Sequence, residues 1–388
     1  MNILFDFISL QNAGGVGGAA GFTKAVFDDV ISQKSKDTNL VGLYDSQKPE
    51  GGLYNYKILA AQHGIKIVDV NTYTISNIIE HENIDVFFIA IGQFFAQYDL
   101  NGIHCKTVMF IHDIYDIERN DNRIDLFISD PLKDSKVAIS KRWLNVFSRR
   151  WKKQADTTYS KIIPLYSAKN TVAYTVSKYT VNALHYFFPS LKKEIRVCYS
   201  PMRFVQLKKD IENNALRHLI QSGIPYLLMV SANRKYKNAP IAIKVFHRLI
   251  KEYPNLQLLT LKYGKTTHAN HTDIDFLSDS DLQHAYQHAL ALIFPSFFEG
   301  FGYPPIEAFR YGTPVIASNV TSIPEIAGDA ANYFSPFYPV DLYRAIKSVI
   351  EAPEAKKDKM AAKYLQLTEI QKRGLNQLSQ QILAKQIL

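Results

Sequence analysis

The chain has 388 residues, 47% of them hydrophobic and 21% charged, with a formal net charge of +9. That length exceeds one ordinary hydrophobic core, so two domains are expected, and the composition is that of a soluble globular protein. Two cysteines far apart, Cys105 and Cys198, form neither a metal-ligand spacing nor a disulfide framework, and no apolar run reaches bilayer-spanning length. The N-terminal MNILFDFISL lacks the basic region and length of a signal peptide, so the cytoplasm is the expected compartment. The positive charge favours phosphate-rich partners without choosing among them.

Residues 2–8 (NILFDFI) read as a first strand, followed by the loop Asn12 to Ala19 with Gly14 and Gly15 in it, then a helix from about Phe22. This is the strand, glycine loop and helix of a nucleotide-binding α/β unit, although the loop is out of register with G-x-G-x-x-G. Strands TNLVGLYD, IKIVDV and IDVFFIAI follow, separated by helices near 54–63 and 75–81. Thr107 to Ile111 is a further buried strand, with His112-Asp113 at its C-terminal end, the edge where open α/β sheets bind ligands. Residues 136–153 (KVAISKRWLNVFSRRWKK) carry Ile139, Trp143, Phe147 and Trp151 at intervals of four amid lysines and arginines. Such a helix suits an anionic membrane surface, or else packs its stripe inward with a solvated basic rim. Residues 171–200 read as strand, Ser-led helix and strand, and the polar segment 201–223 as an interdomain connection.

A second series opens with the strand Tyr226 to Val230 and the basic turn Ser231 to Asn238, which holds Arg234, Lys235 and Lys237 ahead of a helix. Cations at a strand's C-terminal edge before a helix suit a diphosphate. Asp273 and Asp275 offer a superficial D-x-D, discounted because it precedes a different element. Leu290 to Phe294 is an apolar strand, and the loop Phe297 to Tyr303 enters a helix through Pro304 and Pro305. Gly312 closes that helix, Thr313 to Ser318 is the next strand, and Glu299 and Glu307 stand at E-x7-E spacing. The remaining segment 362–388 is amphipathic and helical.

The stretch PSFFEGFGYPPIEAFRYGTPVIASNVTSIPEIAGDAA resembles the signature of the family 4 retaining, nucleotide-sugar-dependent glycosyltransferases, which have the GT-B fold. The resemblance is strongest over 290–331, moderate over 226–246 and looser before residue 200. It implies two Rossmann-like domains facing a central cleft: an acceptor-binding domain at 1–200, a connection at 201–223, a nucleotide-sugar domain at 224–361, and a helix at 362–388 crossing back to the first domain. It further implies that Glu307 holds the donor ribose, that Glu299 and His112 lie beside the transferred sugar, and that the amides of Phe301 and Gly302 face the donor. Arg234 and Lys237 would hold the diphosphate, with Lys235 competing for Arg234's role. Gly14 and Gly15 would touch donor phosphate or acceptor. The activity implied is sugar transfer with retention to a hydroxyl acceptor, a glycan or lipid-linked glycan of cell-surface polysaccharide or lipopolysaccharide. Neither metal nor cofactor is expected, nor nucleic acid as a partner; peripheral membrane contact through 136–153 is. The alternatives are a sugar-nucleotide epimerase of the same fold and a non-catalytic sugar-nucleotide-binding subunit.

Overall fold

The computed structural model describes the whole chain except residues 12–17, 51–53, 122–133, 148–149, 203–206, 267 and 388. Gly14 and Gly15 therefore lie outside the described residues. The chain divides into two compact units: Met1–Ile117 with Trp151–Arg203 and Thr368–Leu388, and Glu118–Arg150 with Phe204–Leu367.

The first unit is built on a seven-stranded parallel sheet: β1 (Asn2–Asp6), β2 (Asn39–Tyr44), β3 (Lys66–Asp69), β4 (Val86–Ile89), β5 (Lys106–Phe110), β6 (Thr171–Thr175) and β7 (Ile195–Val197). Every residue of β4, β5 and β6 is buried, as strands covered on both faces must be, and their central runs VFFI, VMF and VAY show no polar alternation. The order is β3-β2-β1-β4-β5-β6-β7, so the winding reverses between β1 and β4. Connections diverge at that point and open a crevice at the carboxyl ends of the strands. The Ser-led helix is present as Lys178–Phe187, its cap made by Ser177 Oγ accepting the Thr180 N–H at 3.2 Å.

Residues 368–388 complete this unit as the second part of the long helix Lys357–Ile382 and its extension. Lys106, at the start of β5 and 7% exposed, donates to the carbonyls of Gln381 (2.6 Å), Ala384 (2.7 Å) and Gln386 (2.6 Å). A cation there satisfies carbonyls that a helix end leaves without partners. Burial, and to a lesser degree Arg196, push the Lys106 pKa down to about 8.

The second unit repeats the plan with β8 (Tyr226–Met229), β9 (Gln257–Leu261), β10 (His271–Ile274), β11 (Ala291–Phe294), β12 (Val315–Ser318) and β13 (Asn332–Phe334). All pairings are parallel and the order is β10-β9-β8-β11-β12-β13, with the reversal between β8 and β11. Two details differ from the sequence reading. The supposed connection contains the helix Asn214–Gln221, capped by Asn213 and burying Leu216 and Leu219 in the second core. Residues 118–150, read as part of the first domain, group with the second unit.

Candidate active site

The chemistry-bearing residues of the second unit gather at the carboxyl ends of β8, β11 and β12. Backbone geometry marks this edge first. Ser231 after β8, Asn238 at the next helix start, Lys262 after β9 and Thr321 after β12 all adopt left-handed φ between +52° and +64°. Non-glycine residues hold that conformation only where their surroundings impose it, and such positions concentrate at functional sites. Ser231 thus takes with strain the place where a glycine would be comfortable.

Lys237 and Glu299 form the centre. Lys237 Nζ lies 2.5 Å from Glu299 Oε1, with side-chain exposures of 7% and 11%. The ammonium also sits 4.6 Å from the centroid of Phe294 and 5.5 Å from that of Tyr236. Ser296 Oγ–H donates to the same Glu299 oxygen at 2.6 Å. Glu299 Oε2 makes no hydrogen bond among the described residues. A charge pair in these apolar surroundings needs close geometry to offset its desolvation, and the pair and the serine supply it.

The loop carrying Glu299 is held from the β12 side. Its N–H donates to Thr321 Oγ1 at 3.1 Å, and Ser322 Oγ–H bridges the carbonyls of Glu299 (2.9 Å) and Phe301 (3.0 Å). Gly302 follows at φ +100°, a value that side chains resist, and caps the helix Tyr303–Phe309 with prolines in its first turn. The Gly302 N–H has no partner among the described residues. Glu307, partly exposed on that helix, accepts from Tyr286 O–H at 2.7 Å. Burial and the adjacent Glu307 raise the Tyr286 pKa well above the usual phenol value, so it remains a donor.

Arg234 and Lys235 are both exposed. Arg234 donates from Nη1 to the Tyr236 hydroxyl at 3.0 Å, whereas Lys235 faces Asp134 at 3.6 Å. Lys235 is thereby tied to an acidic partner and Arg234 to a neutral one. Asp273 is occupied structurally: it accepts from Thr260 Oγ1 (2.6 Å), Tyr263 N–H (2.9 Å) and Gly264 N–H (2.6 Å), fixing the turn after β9. Among the described residues no three His, Cys, Asp or Glu side chains cluster as metal ligands.

His112 belongs to the first unit, at the carboxyl end of β5. Its Nε2–H donates to the Ala90 carbonyl at 2.9 Å, and the rings of Phe22 and Phe110 pack against it. A carbonyl only accepts, so the proton is on Nε2 and the Nδ1 lone pair is the imidazole's acceptor. Burial pulls its pKa down to about 4, so it is neutral at pH 7. Ala90 also donates its N–H to Asp6 Oδ2 at 3.0 Å, which links His112 to the buried carboxyl at the end of β1. Asp6 accepts from the Ser9 N–H (2.8 Å) and hydroxyl as well, yet burial outweighs these bonds and lifts its pKa to about 6.

Sequence reading missed Tyr286, Ser296, Thr321, Ser322 and Asp6. Ser296 and the Thr321-Ser322 pair lie inside the quoted signature, and hydroxyls next to a strand end were the available signal. Tyr286 gave none, since it lies on a different helix and meets Glu307 only through space.

Two parallel Rossmann-like sheets, each with a switch point in its strand order, make an α/β fold of GT-B type. Sucrose-phosphate synthase from Thermosynechococcus elongatus has this fold and superposes over 98% of both chains with a TM-score of 0.65 at 13% identity. Residues 210–366 match the model of the glycosyl transferases group 1 family. O-antigen chain mannosyltransferase B of Escherichia coli is 46% identical over 63 residues, 16% of each protein. O-antigen chain mannosyltransferase RfbU of Salmonella typhimurium is 29% identical over 202 residues, 48% of this chain and 51% of that one. The matched stretch thus spans about half the length of the second relative and far less of the first.

Proposed function

We propose that this chain transfers a sugar, mannose first among the candidates, from a nucleoside diphosphate to a glycan hydroxyl during cell-surface polysaccharide synthesis. The carrying observation is the Lys237–Glu299 pair: one buried cation and one carboxylate oxygen left for ligand, set in the family's signature. The mannosyltransferase relatives support the choice of sugar and of O-antigen-like acceptors. In this reading Glu307 takes the ribose hydroxyls, Lys237 and Arg234 stabilise the leaving diphosphate, and neutral His112 offers Nδ1 to a donor-sugar hydroxyl. Glu299 Oε2 accepts from the transferred sugar. With Glu307 engaged on ribose, the paired-carboxylate scheme of retaining glycosidases does not apply, and retention follows from same-face attack assisted by the leaving phosphate. Arg234 and Lys237 supply the charge that a divalent metal otherwise would.

Calorimetric titration with UDP, GDP and ADP, with and without magnesium, tests the donor site. Binding of GDP without metal is expected, followed by mannose transfer from GDP-mannose to an acceptor glycan. Binding of none of the three would remove the reading, and an isomerised donor formed without acceptor would make the protein an epimerase.

Membrane contact by the helix Lys136–Phe147 is a second part of the proposal. It exposes Val137 (63%), Trp143 (48%) and Leu144 (68%) beside exposed Lys136 and Lys141. No described helix is long and apolar enough to cross a bilayer. A cytoplasmic, peripheral location predicts flotation with anionic vesicles at low salt and release at high salt. Protein that stays at the bottom of the gradient at low salt would rule it out.

A further inference from the structure

Lys48, at the carboxyl edge of the first sheet, is a cation that the preceding scheme does not use. Asp45, directly after β2, is 4% exposed and heavily hydrogen-bonded. It accepts from Tyr98 O–H (2.5 Å), Asn71 Nδ2 (2.6 Å) and the Gln47 N–H (2.9 Å). Its backbone is fixed by Gln11, whose amide donates to the Asp45 carbonyl and accepts from the Asp45 N–H, both at 2.9 Å. Beside this anchored carboxylate lies Lys48, with a side chain 15% exposed. Its Nζ is 3.9 Å from Asp45 Oδ2 and 5.3 Å from the Tyr98 ring centroid, and it makes no hydrogen bond among the described residues. Three acceptor positions of Asp45 are taken by these donors, and the Lys48 ammonium, though it has lost much of its water, stays beyond hydrogen-bond distance of the carboxylate.

We propose that Lys48 is an anion subsite for the acceptor, which takes a phosphate or pyrophosphate oxygen of a phosphorylated glycan carrier. The proposal rests on the reading of this chain as a glycosyltransferase whose first unit binds acceptor. A desolvated ammonium with open N–H donors gains most from a charged oxygen, because charge-assisted bonds are the strong ones. Tyr98 and Asn71 are positioning residues: by holding Asp45 they keep its carboxylate from drawing Lys48 into a closed ion pair.

The test is calorimetric titration of inorganic pyrophosphate into the full chain already saturated with nucleoside diphosphate. Wild type is compared with Lys48→Met and Lys48→Arg, with Lys48→Gln as a second neutral variant and melting curves for all. A second binding event is expected, weakened about tenfold or more in the neutral variants and largely kept in Lys48→Arg, with nucleotide affinity unchanged. Absence of that event, or equal pyrophosphate affinity in folded Lys48→Met or Lys48→Gln, would overturn the proposal. If no nucleotide binds but pyrophosphate binding still depends on Lys48, the subsite stands and the donor reading falls. Geranyl pyrophosphate and glucose 1-phosphate then separate the sources: tighter binding of the former identifies a lipid-linked carrier, and of the latter a soluble sugar phosphate.

Discussion

The two sheet edges treat charge in opposite ways. In the second unit Lys237 and Glu299 pair at 2.5 Å among aromatic rings. In the first unit Asp6 and His112 meet through the backbone of Ala90, neither has an opposite charge in contact, and burial drives both toward neutrality. An edge that holds paired ions is prepared for a ligand whose charge changes during reaction, as a leaving diphosphate's does. Around Asp6 and His112 the edge mutes its ions and suits hydroxyls, whereas beside β2 the Asp45 carboxyl is held below its usual range by hydrogen bonds, with Lys48 next to it.

The contrast breaks most sharply at Lys237. Lys237→Ala is expected to lower turnover by about two to three orders of magnitude, the usual cost of removing one transition-state donor. It should also cost about 3 kcal/mol of stability, because Glu299 is left buried and unpaired. The double variant Lys237→Met/Glu299→Gln should recover much of the melting temperature and none of the activity, read by paired thermal denaturation and initial rates. Recovery of activity would mean that the pair is structural.

Glu307→Ala should weaken nucleotide binding about tenfold or more by calorimetry, and Tyr286→Phe should do so by a smaller factor, since it frees Glu307 without removing it. At His112 the expectation is a flat line. With the imidazole pKa held at about 4, the donor KM should show no titration between pH 5.5 and 8 beyond that of the donor itself. A His112-dependent inflection near the ordinary value of about 6.5 would contradict the muted edge.

Asp6 gives the smallest effect and a defined sign. Its folded pKa of about 6 lies above the ordinary aspartate value of 3.8, so in that interval the folded state binds more protons than the unfolded one. Stability contributed by the protonated carboxyl is therefore present below about pH 4 and lost as pH rises to about 6, by roughly 1–3 kcal/mol. Asp6→Asn should remove that slope, measured by urea denaturation at pH 4, 5, 6 and 7.

Much of this architecture was legible because parallel strands covered on both faces leave apolar runs such as VFFIAI and ALIF, and because the loop after β11 keeps an unusually long motif. Local chemistry was legible for the same reason. Gly302 at φ +100° and the prolines behind it do what those residue types do anywhere. Contacts made through space were not. Nothing in the neighbourhood of Tyr286 announces Glu307, and the Asp45, Tyr98, Asn71 and Gln11 network draws on four segments far apart in the chain. Ser231 is a middle case: it was readable as the start of the basic turn, but nothing in its residue type announces the left-handed backbone it adopts. Residues 118–150 show the limit for whole segments. A helical pattern was readable from residue 136 on, but the grouping of the segment with the second unit depends on tertiary contacts that no local period encodes.

The grip of Lys106 on the carbonyls of Gln381, Ala384 and Gln386 has a consequence for the order of events during synthesis. Those acceptors are translated after the entire second unit, so a nascent first unit must wait with an ammonium facing a groove that nothing yet fills. The first half of the protein to be made is the last to be finished. Until its closing segment arrives, β5 has an unsealed end, which gives chaperones a place to bind and proteases a reason to cut.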